Sequence, residues 1–345
     1  MNPIMDKIRL APIKAPVFVH LDLTKHCNCN CIYCASHDNI SPKKYFQVNY
    51  FKKIIDKLQE AEVFEISFFG GEPFLYPGIY KLGKYSKKKG LIVGFLSNGT
   101  LIRKQDMSKI RESFDGCGIA LNGIEEVHDK LCRKKGAFKK TIATIEMFIK
   151  NDFPFEINAV VCRSNISYLD DFLNFLANLL QENSININLF SSRNNMKVEE
   201  LLTMDEMKNA FHIIERHNQG DLKNKVSLTH SIPMCLLDRE YSIYNGGCSA
   251  GLTFAGIDMY GNVKICPSSS TIIGNIFKSP LNEIWQKSKG MAYFKSNLWV
   301  DSHCKTCSLL TICHCGCLIT SSTKKYSLPR YYKQHIKPIR EGVKL

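Results

Sequence analysis

The sequence predicts an α/β fold: a partial (β/α)6 barrel followed by a loop-rich, cysteine-rich extension. Three observations lead there. Apolar strands and amphipathic helices alternate six times between residues 17 and 190. Six such repeats imply a parallel sheet with right-handed crossovers, open rather than closed at eight strands. The fifteen cysteines are unevenly spread: four at 27–34, three in the middle (Cys117, Cys132, Cys162) and eight after residue 234.

Each element follows in order. Residues 17–24 read as a strand. Residues 49–60 carry Phe51, Ile54, Ile55 and Leu58, the i, i+3, i+4, i+7 stripe of a helix. A strand at 63–69 ends in Gly70-Gly71, residues 77–89 are helical, and a strand at 91–97 ends in Asn98-Gly99. A short helix near 104–113 precedes a strand at 117–121. Residues 138–150 form a helix and 155–161 a strand. Ser167 and Asp170 resemble a capping box before a helix carrying Leu169, Phe172, Leu173, Leu176 and Leu180. Residues 184–190 are the sixth strand. In such folds the chemistry lies at the C-terminal ends of the strands. Cys27–Cys34, Gly70–Glu72 and Ser97–Gly99 fall there.

The organisation is therefore a lead-in at 1–16, a barrel at 17–190, a bridge at 191–234 with a helix at 203–217, an extension at 235–320, and a basic tail at 321–345 read as solvated. The extension has few long apolar stripes, so metal sites are expected to hold it.

Composition bounds the function. The chain has 345 residues, 44% hydrophobic and 23% charged, which excludes a wholly disordered protein. No run of about 18 apolar residues exists, so no transmembrane helix is expected. The N-terminus lacks a signal-peptide stretch, and the expected location is the cytoplasm. A net charge of +14 suits an acidic partner; neither a membrane nor nucleic acid is expected. Fifteen cysteines without an export signal argue against disulfides, and an odd number cannot all pair. Clustered reduced thiolates point to metal or iron–sulfur ligation.

The strongest motif is Cys27-Asn-Cys29-Asn-Cys31-Ile-Tyr33-Cys34, which contains C-x3-C-x2-C. Three thiolates can hold three irons of a [4Fe–4S] cube and leave the fourth open for an added ligand. The alternative is a zinc site closed by His26 or His37. Cys29 falls outside the spacing and is read as a spectator.

This loop, placed after a first βα strand, resembles the radical S-adenosylmethionine (SAM) enzymes. Other motifs of that family follow in order over about residues 16–190. Gly70-Gly71-Glu72-Pro73 resembles the GGE motif, which implies contact with the methionine amino group. Tyr33 matches the aromatic that contacts adenine. Ser97-Asn98-Gly99 matches the residues lining ribose and methionine. Asn122-Gly123, His128-Asp129 and Arg133 resemble the family's DG, HD and R stretch, with Asn122 in place of the common Asp and Ala120 where several relatives have Ser. The resemblance implies SAM bound to the open iron, and a 5′-deoxyadenosyl radical formed after one-electron reduction by a donor such as flavodoxin or ferredoxin.

The C-terminal spacing resembles the SPASM extension of the same enzymes: Cys248, Gly261 and Cys266, then Cys304-x2-Cys307-x5-Cys313-x3-Cys317. That implies one or two auxiliary [4Fe–4S] clusters. Cys248, Cys266 and Cys317 would serve the first, with Cys235 a possible fourth ligand. Cys304, Cys307 and Cys313 would serve the second. No cysteine follows Cys317, so the second is expected to have an open iron, Cys315, or another residue such as His314.

Relatives of this kind modify ribosomally made peptides or mature sulfatases. Pro267 follows Cys266 where the sulfatase-maturing relatives carry an Asp that serves as base, which disfavours that activity. Only 26 residues precede Cys27, so leader-peptide binding is expected to fall to a separate protein or to the basic surface. The leading expectation is a peptide-modifying enzyme that crosslinks, oxidises or epimerises its substrate by hydrogen abstraction. The alternative is an oxidoreductase acting on a small molecule such as a sugar, cofactor or haem precursor. A non-catalytic iron–sulfur carrier would not need the GGE motif. Cys117, Cys132, Cys162 and Cys235 remain as hydrogen-atom donors to a substrate radical, against the plainer reading of small buried hydrophobes.

Overall fold

A computed structural model describes residues 13–34, 45–180, 182–190, 197–229, 231–236, 248–296, 300, 302–313 and 315–317. The lead-in before residue 13, His37, His314 and the tail at 321–345 lie outside the described residues.

The six expected strands form: β1 (Phe18–Thr24), β2 (Glu65–Gly70), β3 (Ile92–Ser97), β4 (Cys117–Ala120), β5 (Phe155–Val161) and β6 (Ile185–Leu189). Between them run α1 (Val48–Glu60), α2 (Ile79–Lys88), α3 (Met107–Ser113), α4 (Glu125–Cys132), α5 (Ala137–Lys150) and α6 (Leu169–Leu179). Each strand pairs in parallel with the next, and the sheet does not close on itself.

Packing explains the alternation. Val19, Leu21 and Leu23 of β1 are fully buried, as are Phe51, Ile54, Ile55 and Leu58 of α1. Each such side chain contributes about 1.5–3 kcal/mol by leaving water. The intervening positions of β1, Phe18, His20 and Asp22, are only half-buried. One face of the sheet thus packs on helices, and the other lines the open interior of the barrel.

The sheet continues past the sixth strand. After α7 (Met204–Gln219), β7 (Val226–Leu228) pairs in parallel with β6. The extension supplies β8 (Phe254–Ile257), β9 (Asn262–Lys264) and β10 (Ile272–Asn275). β8 pairs in parallel with the free edge of β1, and β9 and β10 follow antiparallel. The order is β10-β9-β8-β1-β2-β3-β4-β5-β6-β7. The extension was expected to need metal to hold it. In this part it does not: Ala255, Ile257, Val263, Ile273, Ile276 and Trp285 join the main core. Trp285 lies on α8 (Leu281–Lys287), beside α9 (Lys289–Lys295).

Two local expectations fail. Ser167 does not cap a helix; Ile166–Tyr168 form a 3-10 turn, and α6 begins at Leu169 without a side-chain cap. Asp170 instead meets His217 at 2.8 Å and Arg216 on α7, and those partners hold its carboxyl below the usual range. The helix near 104–113 splits into a 3-10 turn at Lys104–Asp106 and α3.

Candidate active site

The cysteine loop, Gly70–Glu72, Ser97–Gly99 and Asn122 lie at the C-terminal ends of β1, β2, β3 and β4 in turn. Gly70 and Gly71 run against the chain leaving β1. The Gly71 N–H donates to Thr24 O at 2.7 Å, and the Glu72 N–H donates to His26 O at 2.8 Å. A Cβ at Gly70 would stand 2.3 Å from Thr24 O, and one at Gly71 would stand 2.1 Å from His26 O. No other residue allows that approach. The two glycines thereby bring Glu72 beside the cysteine loop.

Glu72 is the centre of a fixed network. It is 1% exposed. Its Oε1 accepts from Ser97 Oγ at 2.8 Å and Phe74 N at 3.1 Å, and its Oε2 accepts from Asn98 N at 2.9 Å. Burial raises its pKa to about 7 against those bonds. The Asn98 side chain donates to Asn28 Oδ1 at 2.9 Å and lies 4.0 Å from the Cys27 sulfur. Asn28 in turn donates to Thr100 Oγ1 at 2.8 Å. Thr141 and Thr144 of α5 hold the carbonyls of Asn98 and Gly99 at 2.8 and 2.7 Å. The carboxylate and the cysteine loop belong to one hydrogen-bond network.

The loop is also pinned to α4. The Asn30 N–H donates to Cys132 O at 3.0 Å and the Ile32 N–H to Leu131 O at 2.9 Å. Lys134 Nζ donates to Asn28 O at 2.8 Å. Sequence reasoning named Arg133 here and missed Lys134. Arg133 ends α4 in the left-handed conformation, with φ 49°, and is exposed. That turn swings the next residue onto the loop.

Asn122 is placed at the end of β4 and is committed on every side. Its N–H donates to His128 Nδ1 at 3.2 Å, its Oδ1 accepts from Val160 N at 2.8 Å, and its Nδ2 donates to the Tyr33 hydroxyl at 2.7 Å. Accepting at Nδ1 puts the His128 proton on Nε2, 3.5 Å from the Cys132 sulfur. Burial lowers the His128 pKa to about 4. Asp129 caps α5, accepting from Phe138 N at 2.8 Å. Asn122, His128 and Asp129 thus build the site's wall.

The free thiols fall into groups. A hydrogen bond between Cys132 and Cys31 lowers the Cys31 pKa and raises that of Cys132, and the two add to the effect of burial in raising the Tyr33 hydroxyl. Cys29 and Cys27 are paired in the same way, Cys27 lowered and Cys29 raised. Burial pushes Cys248 up to about 12, with Cys317 and Cys266 adding to the effect. Cys235 does not join that group. Burial pushes it up to about 12, and its neighbours are Cys313, Cys304 and Cys307. The Met234 N–H donates to the Cys313 sulfur at 3.2 Å. Buried Cys315 packs with Cys304. The second auxiliary group therefore holds Cys235 and Cys315 as well as Cys304, Cys307 and Cys313. Spacing alone could not assign Cys235, because it lies nearer in the chain to Cys248 than to Cys304, whose group it joins.

Among the described residues no three metal-binding side chains converge on a point for a single ion. A four-iron cube does not ask for that, since each thiolate binds a different iron. Beside the first loop, the buried His26 Nδ1 has no hydrogen-bond partner among the described residues. The buried carboxylate of Glu72, the thiols of Cys27, Cys31 and Cys34 and this open acceptor or donor suit a bound cluster and a small zwitterionic ligand.

Below the site is a cavity of about 470 Å³ at the N-terminal ends of the strands. His20, Glu65, Ser67, Cys117, Glu156 and Asn158 help to line it. Sequence reasoning nominated only Cys117 among these. The signal was available: parallel strands covered on both faces are near-continuously apolar, whereas β1, β2 and β5 place polar residues at alternate positions. Cys117 is 8% exposed, and burial and Glu156 keep its thiol protonated. Cys162 is fully buried, its pKa pushed up to about 12 by burial and Glu200.

Comparison with known proteins agrees with this geometry. The family model for the radical SAM superfamily matches residues 21–176, and that for an iron–sulfur cluster-binding domain, SPASM, matches residues 248–308. An AdoMet-dependent heme synthase of Methanosarcina barkeri is 24% identical, over 89% of this chain and 93% of its own. A PqqA peptide cyclase of Bradyrhizobium diazoefficiens is 23% identical, over 88% and 81%. The mycofactocin maturase MftC of Mycolicibacterium smegmatis is 26% identical, over 89% and 79%. The fold is that of SuiB from Streptococcus suis, solved with S-adenosylmethionine, with a TM-score of 0.74 at 16% identity over 89% of this chain and 74% of that one. The chain belongs to the radical SAM superfamily, with SAM and a [4Fe–4S] cluster as cofactors and a SPASM extension for auxiliary iron–sulfur clusters.

Proposed function

We propose that this chain modifies a ribosomally made peptide or protein by hydrogen abstraction, forming a crosslink, an oxidised residue or an epimer. When bound and reduced, the cluster and SAM supply a carbon-centred radical. The protein's share is positioning. Cys27, Cys31 and Cys34 would hold the cluster, and Glu72 would take the ligand's amino group, its carboxylate already aimed by Ser97, Asn98 and Phe74. Tyr33 is tied to Asn122 and would wall the adenine. Cys248, Cys266 and Cys317 would serve one auxiliary cluster, and Cys304, Cys307 and Cys313, completed by Cys235 or Cys315, a second. A flavodoxin or ferredoxin would supply the electron. Among the described residues no helix is long and apolar enough to cross a membrane.

The observation that carries the peptide reading is the polar, acid-lined cavity beneath the site. The relatives named as a peptide cyclase and a maturase support it. The second reading, a haem-type small molecule, draws on the heme synthase relative. Haem precursors carry carboxylates, and Glu65 and Glu156 in the cavity wall repel them. Pro267 continues to disfavour sulfatase maturation. The test is anaerobic. The reconstituted, reduced protein is given SAM and the low-mass peptide fraction of its host, in water and in deuterium oxide. Loss of two hydrogens by a peptide supports crosslinking or oxidation, and gain of one deuterium supports epimerisation. Formation of 5′-deoxyadenosine with no altered peptide moves the small-molecule reading ahead.

A further inference from the structure

The cavity also has a sign. Among the described residues its lining includes Glu65, Asp115 and Glu156 and no lysine or arginine, although the chain as a whole carries +14. Asp115 is already satisfied: Lys87 Nζ lies 2.7 Å from its Oδ1, and the Val93 N–H donates to Oδ2 at 2.9 Å. Glu65 and Glu156 have no ion pair among the described residues. Glu156 Oε1 accepts only a hydrogen bond from Asn158 Nδ2, at 3.0 Å. The two carboxylates approach from β2 and β5: burial raises the Glu65 pKa, and the Glu156 charge adds to the rise.

His20 gives the second observation. Its imidazole lines the same cavity, boxed by Phe18, Phe69 and Phe254 at 4.8, 4.6 and 4.9 Å between ring centres. Its Nδ1 is buried and has no hydrogen-bond partner among the described residues. Burial lowers its pKa to about 3, so it is neutral at ordinary pH and cannot serve as the missing cation. A neutral imidazole nitrogen can accept a hydrogen bond.

We propose that this cavity binds a cationic side chain of the substrate, an ammonium or guanidinium, between Glu65 and Glu156 and against His20. This rests on the peptide reading above and names the residue type that reading needs. Glu65 and Glu156 are half-buried and without a counter-charge among the described residues, and a cationic guest is the species that supplies one. Charge-assisted hydrogen bonds to a carboxylate are the strong kind. The position suits the chemistry. Glu65 is five residues before Gly70 along β2, about 17 Å at the usual strand rise. A cation held at that floor leaves the carbons of its own residue and its neighbours between the floor and the strand ends, where Glu72 and Asn98 lie.

The experiment uses the full chain, reconstituted anaerobically. The probes are the acetyl-methylamide derivatives of lysine, norleucine and glutamate, with binding read by saturation-transfer NMR on the probe. Lysine is expected to bind about tenfold tighter than norleucine, the ratio one added charge-assisted bond gives, and glutamate not at all. In a Glu65→Gln/Glu156→Gln variant the lysine preference is expected to fall to about twofold or less. Equal binding of lysine and norleucine by the native chain overturns the proposal, and needs no variant to fold. So does a lysine preference that survives in a folded double variant. The same preparation is assayed for peptide modification by mass. Lysine preference without any altered peptide keeps the pocket and removes the peptide reading; altered peptides without lysine preference keep that reading and remove the pocket.

Discussion

Strands β1–β6 and the arm at 300–317 belong to one chain but are held by different means. The strands share a core in which residue after residue is fully buried. The arm has short helices, Ser302–Lys305 and Leu310–Cys313, and among the described residues a small cluster of its own, buried Val300 and Cys315 backed by Cys304 and Leu310. Between them β8–β10 belong to the extension by sequence and to the first core by packing. Sequence neighbourhood and mechanical dependence do not coincide here. The boundary that matters for stability falls inside the extension, after α9.

The largest effect expected is chemical. A Cys27→Ala/Cys31→Ala/Cys34→Ala variant should lose SAM cleavage to background while its thermal midpoint stays close to that of the parent, since β1–β6 carry their own core. Iron analysis of the same variant sharpens the comparison. Two auxiliary clusters leave about eight irons and a single one leaves about four. Next, a Cys304→Ala/Cys307→Ala/Cys313→Ala variant should lose amide-exchange protection across 302–313 but not in β8–β10. Loss of protection in both would erase the boundary. Third, Trp285→Ala should cost about 3–5 kcal/mol by urea unfolding, because Trp285 is 1% exposed in the core that β8–β10 share.

The fourth prediction concerns Glu72. Its ordinary pKa is 4.5 and burial raises it to about 7. The folded chain therefore holds this proton more tightly than the unfolded one. Stability from the group is full below pH 4.5 and is lost as pH rises toward 7, by about 3 kcal/mol. Urea unfolding of the cluster-free chain at pH 4.5 and 7.5 should show that loss, and Glu72→Gln should remove it. Last, Ser167→Ala should change stability by less than about 0.5 kcal/mol, against about 1 kcal/mol for a true helix cap.

The first half was legible because most of its strands and helices are long enough to show a period, and four-residue β4 is placed by the alternation around it. Phe51, Ile54, Ile55 and Leu58 mark α1 without ambiguity. β7, β8, β9 and β10 are three or four residues long, too short for alternation to register. The cysteine loop, Glu72 and the Ser97–Gly99 turn were legible as motifs and converge as expected. Lys134 was not, because its approach depends on the left-handed turn at Arg133. Cys235 was not, because partners distant in sequence are chosen by folding rather than by spacing. The acidic floor was visible only as polar residues at alternate strand positions, a pattern that says which face is unusual but not what it faces.

The pairing of β1 with β8 has a consequence in time. The edge of β1 that β8 covers is complete once Thr24 has been made, yet its partner begins at Phe254. At about 5–20 residues per second, synthesis leaves that edge bare for roughly ten seconds to most of a minute. During that interval the barrel half is exposed to strand-edge association with other chains. The extension is then, besides a carrier of clusters, the late-arriving guard of the protein's first strand.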